Sequence, residues 1–317
     1  MDNRKEIYEN LKGKYQNLEF DSRYEGLLRL ASPFYTKFKK NPTNFIGNIP
    51  DDGVLLFISN HSNVYDSLVC NYVFKDYKYF VLAGNEPRNT LSGKSFLAHG
   101  VYWLDRADKI DRMNACNFIY DTLKLGGNVA LSPEGIWCLN PYKLSLRMGK
   151  GTFESCIKAS SYQKIYIVPL IINYNYGYDC IFKKYRVKSV DTTICNSILV
   201  NNKMNSITLT NQIQDLFWTI KWYYIEKEAM ESNKSILIPG SSNEYVFKRE
   251  DQSIFEWERF TNSLKSQYEL DWEKEKTYEI LSREEKLQIE MEKILNVNTH
   301  QGYTEPISHS KKLCKKM

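Results

Sequence analysis

Residues 53–66, GVLLFISNHSNVYD, decide the fold of this 317-residue chain. The run from 53 to 59 is almost continuously apolar, which is typical of a strand buried on both faces of a parallel sheet. A polar stretch follows directly, and in it four residues separate His61 from Asp66. Because sites in α/β proteins form at the carboxyl ends of strands, this junction predicts a functional site at the edge of a sheet.

The residues around this strand repeat the same alternation of strand and helix. Strand patterns recur four times and helix patterns twice before residue 200. The strand patterns are residues 77–83, 101–104, 128–131 and 165–172, and the helix patterns are residues 117–125 and 151–160. This order predicts an α/β domain with a mainly parallel sheet flanked by helices.

Three regions follow from this pattern. We expect an N-terminal helical segment at residues 1–45, an α/β catalytic domain at 46–200 and a helical C-terminal extension with a basic tail at 201–317. In the first region, residues 24–38 place leucines and aromatics on one side at helical spacing. They predict either a helix that caps the core or a segment that lies in a membrane interface. The extension carries two long amphipathic patterns, at 205–230 and 250–295, with a turn predicted at 236–240.

Charge is distributed unevenly along the chain. Lysine and arginine number 43 against 38 acidic residues, a net charge of +5, and the excess lies in residues 1–240. A basic body suits an anionic substrate or an anionic membrane surface. Nucleic acid is disfavoured as a partner because the sequence has no groove-reading motif and no dense basic patch.

Hydropathy and cysteine usage exclude further classes. No apolar run approaches the roughly 18 residues that a membrane helix needs, and the first residues do not resemble a secretory signal. The seven cysteines are scattered without a CxxC pair, which argues against a disulfide framework or a zinc site. We therefore expect a cytoplasmic protein that binds no metal. Peripheral contact with the inner face of the membrane is left open.

The His61–Asp66 spacing has a chemical interpretation of its own. An imidazole at a strand end can act as a general base near neutral pH. A carboxylate one turn into the next helix can reach back to the other ring nitrogen and fix the tautomer. The alternative is a polar helix start with an incidental histidine.

Three more blocks turn the histidine block into a recognisable series. They are Gly100 with Asp105–Arg106, then Ser132-Pro133-Glu134-Gly135, then Ile167-Val168-Pro169-Leu170. In order and spacing, the four blocks resemble those of the glycerolipid acyltransferase superfamily, the lysophosphatidic acid and glycerol-phosphate acyltransferases. The resemblance covers residues 53–173.

The resemblance implies transfer of an acyl group from an acyl carrier protein (ACP) or coenzyme A (CoA) thioester to a hydroxyl of a lysophospholipid or related acceptor, with no cofactor besides that co-substrate. His61 would deprotonate the hydroxyl and Asp66 would orient His61. The amides around Glu134 and Gly135 are candidates for stabilising the oxyanion. Arg106 would bind an acceptor phosphate, or else pair with a neighbouring carboxylate such as Glu134. Glu134 would bind an acceptor hydroxyl or orient Arg106.

Two departures from the family pattern bear on the acceptor. The third block usually continues Thr-Arg-Ser, and here Trp137 stands where the second phosphate-binding arginine is expected; the first block has Asn63 in place of a serine. Either Arg147 and Lys150 replace the missing cation, or the acceptor lacks a phosphate and Trp137 stacks on a sugar, an amine or an apolar group.

A second function class, a protein that is not an enzyme, is also compatible with the sequence. A non-catalytic relative that binds lipid or a partner could keep the same fold. The presence of both His61 and Asp66 favours the enzyme, because a binding module does not need the pair.

Overall fold

The computed structural model describes residues 3–26, 43–63, 65–85, 87–135, 148–179 and 184–231, with the short stretches 236–237 and 246–247. The strands are β1 (Leu18–Glu19), β2 (Asn44–Phe45), β3 (Val54–Ser59), β4 (Phe80–Gly84), β5 (Val101–Leu104), β6 (Val129–Leu131), β7 (Ile165–Asp179), β8 (Lys184–Ile194), β9 (Ile198–Val200), β10 (Ile236–Leu237) and β11 (Val246–Phe247). The α-helices are α1 (Arg4–Leu11), α2 (Asp66–Val73), α3 (Leu91–Leu97), α4 (Lys109–Lys124), α5 (Gly151–Ala159) and α6 (Ser206–Glu231).

Nine of the described strands form one mixed sheet. Its order is β1-β5-β4-β6-β3-β7-β8-β2, and β9 pairs with β7 beside this path. The five central strands, from β5 to β7, run parallel, whereas β1, β8 and β9 pair antiparallel with their neighbours. The prediction of an α/β fold with a mainly parallel sheet is therefore confirmed.

Strand β3 lies in the middle of the sheet, and both of its faces are covered by helices. Leu56 and Ile58 point into a core cluster with residues of α4, α5 and α6. Leu55 and Phe57 point to the opposite face, where Val69 of α2 packs. This two-sided burial explains the continuous apolar run, since neither face of the strand meets water.

Strand β7 is longer than the sequence pattern indicated. The prediction ended it at residue 172, where the apolar run stops, but the strand continues to Asp179 and pairs with the unpredicted β8. Beyond Ile172 the strand extends past its pairing with β3, which ends at Leu170, and polar residues such as Asn173 enter the sequence. An apolar criterion therefore detects the central part of β7 and misses its extension.

The terminal regions contain both helices and strands. Helix α1 lies in the predicted helical segment, but β1 and β2 lie there too and join the main sheet. Helix α6 fits the first C-terminal pattern, and β10 pairs with β11 where a turn was predicted. Most of the 24–38 segment, the second C-terminal pattern and the basic tail lie outside the described residues.

Two kinds of feature are absent from the described residues. Within those ranges, no helix is both long and apolar enough to cross a bilayer. The same residues contain no group of three or more histidine, cysteine, aspartate or glutamate side chains placed to hold a metal ion.

His99 is a buried histidine in the turn between α3 and β5. Its ring stacks on Tyr79 with 4.3 Å between centroids, and Nε2 lies 3.1 Å from Oδ1 of Asn71. Nδ1 is buried without a hydrogen-bond partner among the described residues. Burial lowers the pKa of His99 to about 3, and the positive charges of Arg4 and Lys78 add to the effect.

Acidification should therefore destabilise the fold through His99. Below the ordinary histidine pKa the unfolded chain binds a proton that the folded chain does not, so stability falls as pH falls. Between pH 6.5 and 5 this costs about 1.5 kcal/mol of unfolding free energy. Urea unfolding across that range should show a shallower pH slope for His99→Gln than for wild type. An unchanged slope would contradict the prediction.

Candidate active site

The predicted site residues converge because the adjacent strands β3 and β6 end side by side. Strand β3 lies between β6 and β7, with Ile58 opposite Leu131 and Ser59 opposite Leu170. The residues that follow β3 and β6 therefore emerge side by side at the carboxyl edge. Across this edge the Ser59 and Ser132 hydroxyls lie 3.3 Å apart.

His61 and Asp66 form a close pair at this edge. Nδ1 of His61 lies 2.8 Å from Oδ2 of Asp66. The His61 side chain is 27% exposed and that of Asp66 is 5% exposed, so the carboxylate is buried behind a ring that reaches the surface. Asp66 is the first residue of α2, which places its side chain back over the loop from β3.

The contacts of Asp66 decide which nitrogen of His61 carries the proton. Oδ2 of Asp66 accepts hydrogen bonds from the backbone amides of Ser62 at 2.7 Å and Asn63 at 2.9 Å. Since this oxygen acts as an acceptor, the hydrogen in its contact with His61 belongs to Nδ1. In the neutral ring, Nε2 is then unprotonated and able to accept a proton.

Glu134 connects the third block to the first. Its Oε2 accepts a hydrogen bond from the backbone amide of His61 at 3.2 Å, and the residue is buried. Gly135 follows with φ of +73°, a conformation that favours glycine. The Gly135 amide donates to the carbonyl of Ser132 at 3.1 Å, so this turn already uses the amide proposed for the oxyanion.

Arg106 reaches the same turn from β5. Its Nη1 donates to the carbonyl of Gly135 at 2.7 Å. The described contact joins Arg106 to the backbone beside Glu134, and a contact of Arg106 with a phosphate or a carboxylate stays a prediction. Together His61, Asp66, Glu134, Gly135 and Arg106 form one connected set.

The loop that carries Arg106 is held by the start of α4. Oδ2 of Asp111, a buried residue, accepts from the Asp105 amide at 2.6 Å. Nη1 of Arg112 donates to the carbonyl of Arg106 at 2.6 Å. These contacts fix the backbone on both sides of the Arg106 side chain.

Of the three remaining predicted acceptor residues, one is described and two lie outside the described residues. Lys150 precedes α5 and pairs with Glu154 at 3.4 Å, with its side chain 62% exposed. The neighbouring Gly149 amide donates to the carbonyl of Pro133 at 3.3 Å, which keeps this segment beside the third block. Trp137 and Arg147 lie outside the described residues.

Two residues at the site were missed by the sequence reasoning. Asn60 accepts from the Ile172 amide at 2.7 Å and donates to its carbonyl at 2.9 Å, so it ties β3 to β7. The hydroxyl of Tyr174 donates to Oδ1 of Asp66 at 2.6 Å. Asn60 lies beside His61 in the first block, whereas Tyr174 lies on the part of β7 that the apolar pattern did not detect.

Cys70 lies close to the site but does not suit nucleophilic chemistry. Its Sγ is 3.5 Å from the Ser59 hydroxyl. Burial raises the pKa of the Cys70 thiol to about 12, so it stays protonated near neutral pH.

Residues of the first three blocks thus meet at the carboxyl edge of the parallel sheet. Residues 43–173 match the protein-family model described as Acyltransferase. The chain thus contains an acyltransferase domain, in agreement with the recognition made from the four blocks.

The chain has a similar solved structure but no matching curated sequence. The crystal structure of the 1-acyl-sn-glycerophosphate (LPA) acyltransferase PlsC from Thermotoga maritima is similar, with a TM-score of 0.47 and 17% sequence identity. The match covers 67% of this chain and 81% of that one. No curated protein sequence matches the chain.

Proposed function

We propose that this acyltransferase moves a fatty acyl group from an acyl-ACP or acyl-CoA thioester to a hydroxyl of a lysophospholipid or related acceptor. The observation that carries the proposal is the contact between His61 and Asp66 at the edge of the sheet. With Nδ1 bound to the buried carboxylate, Nε2 is the ring nitrogen that would accept the proton.

The proposed reaction has two steps. In the first, Nε2 of His61 takes the hydroxyl proton while the hydroxyl oxygen bonds to the thioester carbonyl carbon. Asp66 stabilises the imidazolium that forms, through the Nδ1 hydrogen bond. In the second, the tetrahedral intermediate collapses, the carbon–sulfur bond breaks, and the imidazolium returns its proton to the leaving thiolate. The products are an ester and a free thiol.

Release of that thiol tests the proposal. We would measure it from acyl-CoA and acyl-ACP with lysophospholipid, sugar and amine acceptors, with and without EDTA, because we propose that no metal or other cofactor takes part. Acceptor-dependent thiol release by wild type and its loss in His61→Gln supports the enzyme. Equal behaviour of the two proteins with every donor and acceptor would favour the non-catalytic lipid-binding relative.

We further propose that the protein contacts an anionic membrane surface through the start of α4. Ile110 and Met113 are 68% and 59% exposed, one turn apart on this helix. Lys109 and Arg112 beside them are exposed as well, and the loop with Arg106 adjoins them. Apolar and basic side chains together suit a surface that offers both acyl chains and phosphates.

Vesicle sedimentation tests this contact. Binding to vesicles of phosphatidylglycerol and phosphatidylcholine should fall several-fold in an Ile110→Ser, Met113→Ser double variant. The matched control is Leu199→Ser with Ile207→Ser, which removes two exposed apolar side chains elsewhere. Equal binding of both double variants and wild type would overturn the proposal.

A further inference from the structure

The carboxylate of Asp66 is held at both of its oxygens. Oδ2 meets Nδ1 of His61 and the amides of Ser62 and Asn63, as described above. Oδ1 accepts the hydroxyl hydrogen of Tyr174 at 2.6 Å. A carboxylate bound at one oxygen can rotate about its terminal bond, whereas contacts at both oxygens fix its plane. The direction in which Oδ2 points therefore depends on the Oδ1 contact.

The side chain of Tyr174 is held in position by packing in the core. Its residue is 4% exposed and belongs to the same core cluster as Ile172 and Val190. Strand β8 pairs with it, with Val190 opposite Tyr174. The tyrosine ring thus has a packed position from which its hydroxyl reaches Asp66.

The strand that carries Tyr174 is also tied to the histidine block. The Asn60 side chain makes both an accepted and a donated hydrogen bond with the backbone of Ile172. Asn60 is the residue before His61, and Ile172 lies two residues before Tyr174. Through this tie, the middle of β7 keeps a fixed position relative to the loop that carries His61.

We infer that Tyr174 is a positioning residue, which aligns the Asp66 carboxylate with Nδ1 of His61 through its hydroxyl. The inference rests on the proposed function, since it assigns Tyr174 to the same reaction. Tyr174 acts on Asp66 and does not itself touch the reacting atoms. Its loss should lower the rate of the chemical step and leave acceptor binding unchanged, because the binding groups are elsewhere.

The test is the Tyr174→Phe variant, which keeps the ring and removes the hydroxyl. We expect kcat to fall about 10-fold with KM unchanged, the size expected for one lost hydrogen bond to a charged group. The matched control is Tyr224→Phe, which also removes a buried hydroxyl that is hydrogen-bonded, here to Thr193 at 2.5 Å. Tyr224→Phe should retain wild-type kcat.

A double-mutant cycle separates positioning from general stability. In the Asp66→Asn background, Tyr174→Phe should cause no further loss of kcat, because the carboxylate that it aligns is gone. An equal loss in both backgrounds, or wild-type kcat in Tyr174→Phe, would overturn the inference while the proposed function stands. Wild-type turnover in Asp66→Asn would instead contradict the proposed function itself.

Discussion

His61→Gln is expected to lose acyl transfer almost completely, by about 10²- to 10⁴-fold in kcat, the usual contribution of a positioned general base. The substitution removes the nitrogen that would accept the hydroxyl proton. The amide nitrogen of the introduced glutamine is a donor, and its oxygen is far less basic than imidazole. Initial rates of thiol release, with the acceptor at saturation, measure the effect.

Asp66→Asn is the companion variant in this experiment. Asparagine is nearly isosteric with aspartate and keeps an oxygen that can accept the Ser62 and Asn63 amides. It cannot stabilise an imidazolium as a carboxylate does, so we expect a loss of the same order. Unfolding midpoints of both variants within a few degrees of wild type would assign the loss to chemistry. Retained activity in His61→Gln would exclude His61 as the base.

Sequence and structure agree best where one physical signal dominates. The apolar run of β3 predicted a central strand, and that strand is buried on both faces between α2 on one side and α4, α5 and α6 on the other. The spacing of His61 and Asp66 predicted that the carboxylate would reach back to the ring, and the two lie 2.8 Å apart. Both predictions needed only local geometry.

The features that the sequence did not reveal depend on long-range pairing. Tyr174 reaches Asp66 across 108 positions of sequence, on a strand extension paired with β8. The Gly135 amide was a candidate oxyanion donor from composition, but the turn that it closes appears only in three dimensions. Likewise, the carbonyl of Gly135 as the partner of Arg106 is a backbone contact that no side-chain pattern reports.

Arg106→Ala is expected to separate the two kinds of acceptor. If the acceptor carries a phosphate, removal of the guanidinium should raise its KM by about 10- to 100-fold, the range for a lost hydrogen bond to a charged group. A guanidinium has five N–H donors, more than the contact with Gly135 uses. Arg106 can therefore hold its backbone partner and bind a phosphate together.

Arg106→Lys and Trp137→Ala complete this experiment. Lysine keeps the charge and loses the planar pair of donors, so with a phosphate-bearing acceptor its KM should lie between those of wild type and Arg106→Ala. An acceptor without phosphate should respond little to either change at Arg106 and more to Trp137→Ala. Since Trp137 stands where a second arginine is expected, a large Arg106 effect would mean that one arginine can bind the phosphate without that partner. Measured KM values for lysophospholipid and sugar acceptors decide between an acceptor with a phosphate and one without. An unchanged KM in Arg106→Ala for every phosphate-bearing acceptor would exclude Arg106 from the acceptor-binding site.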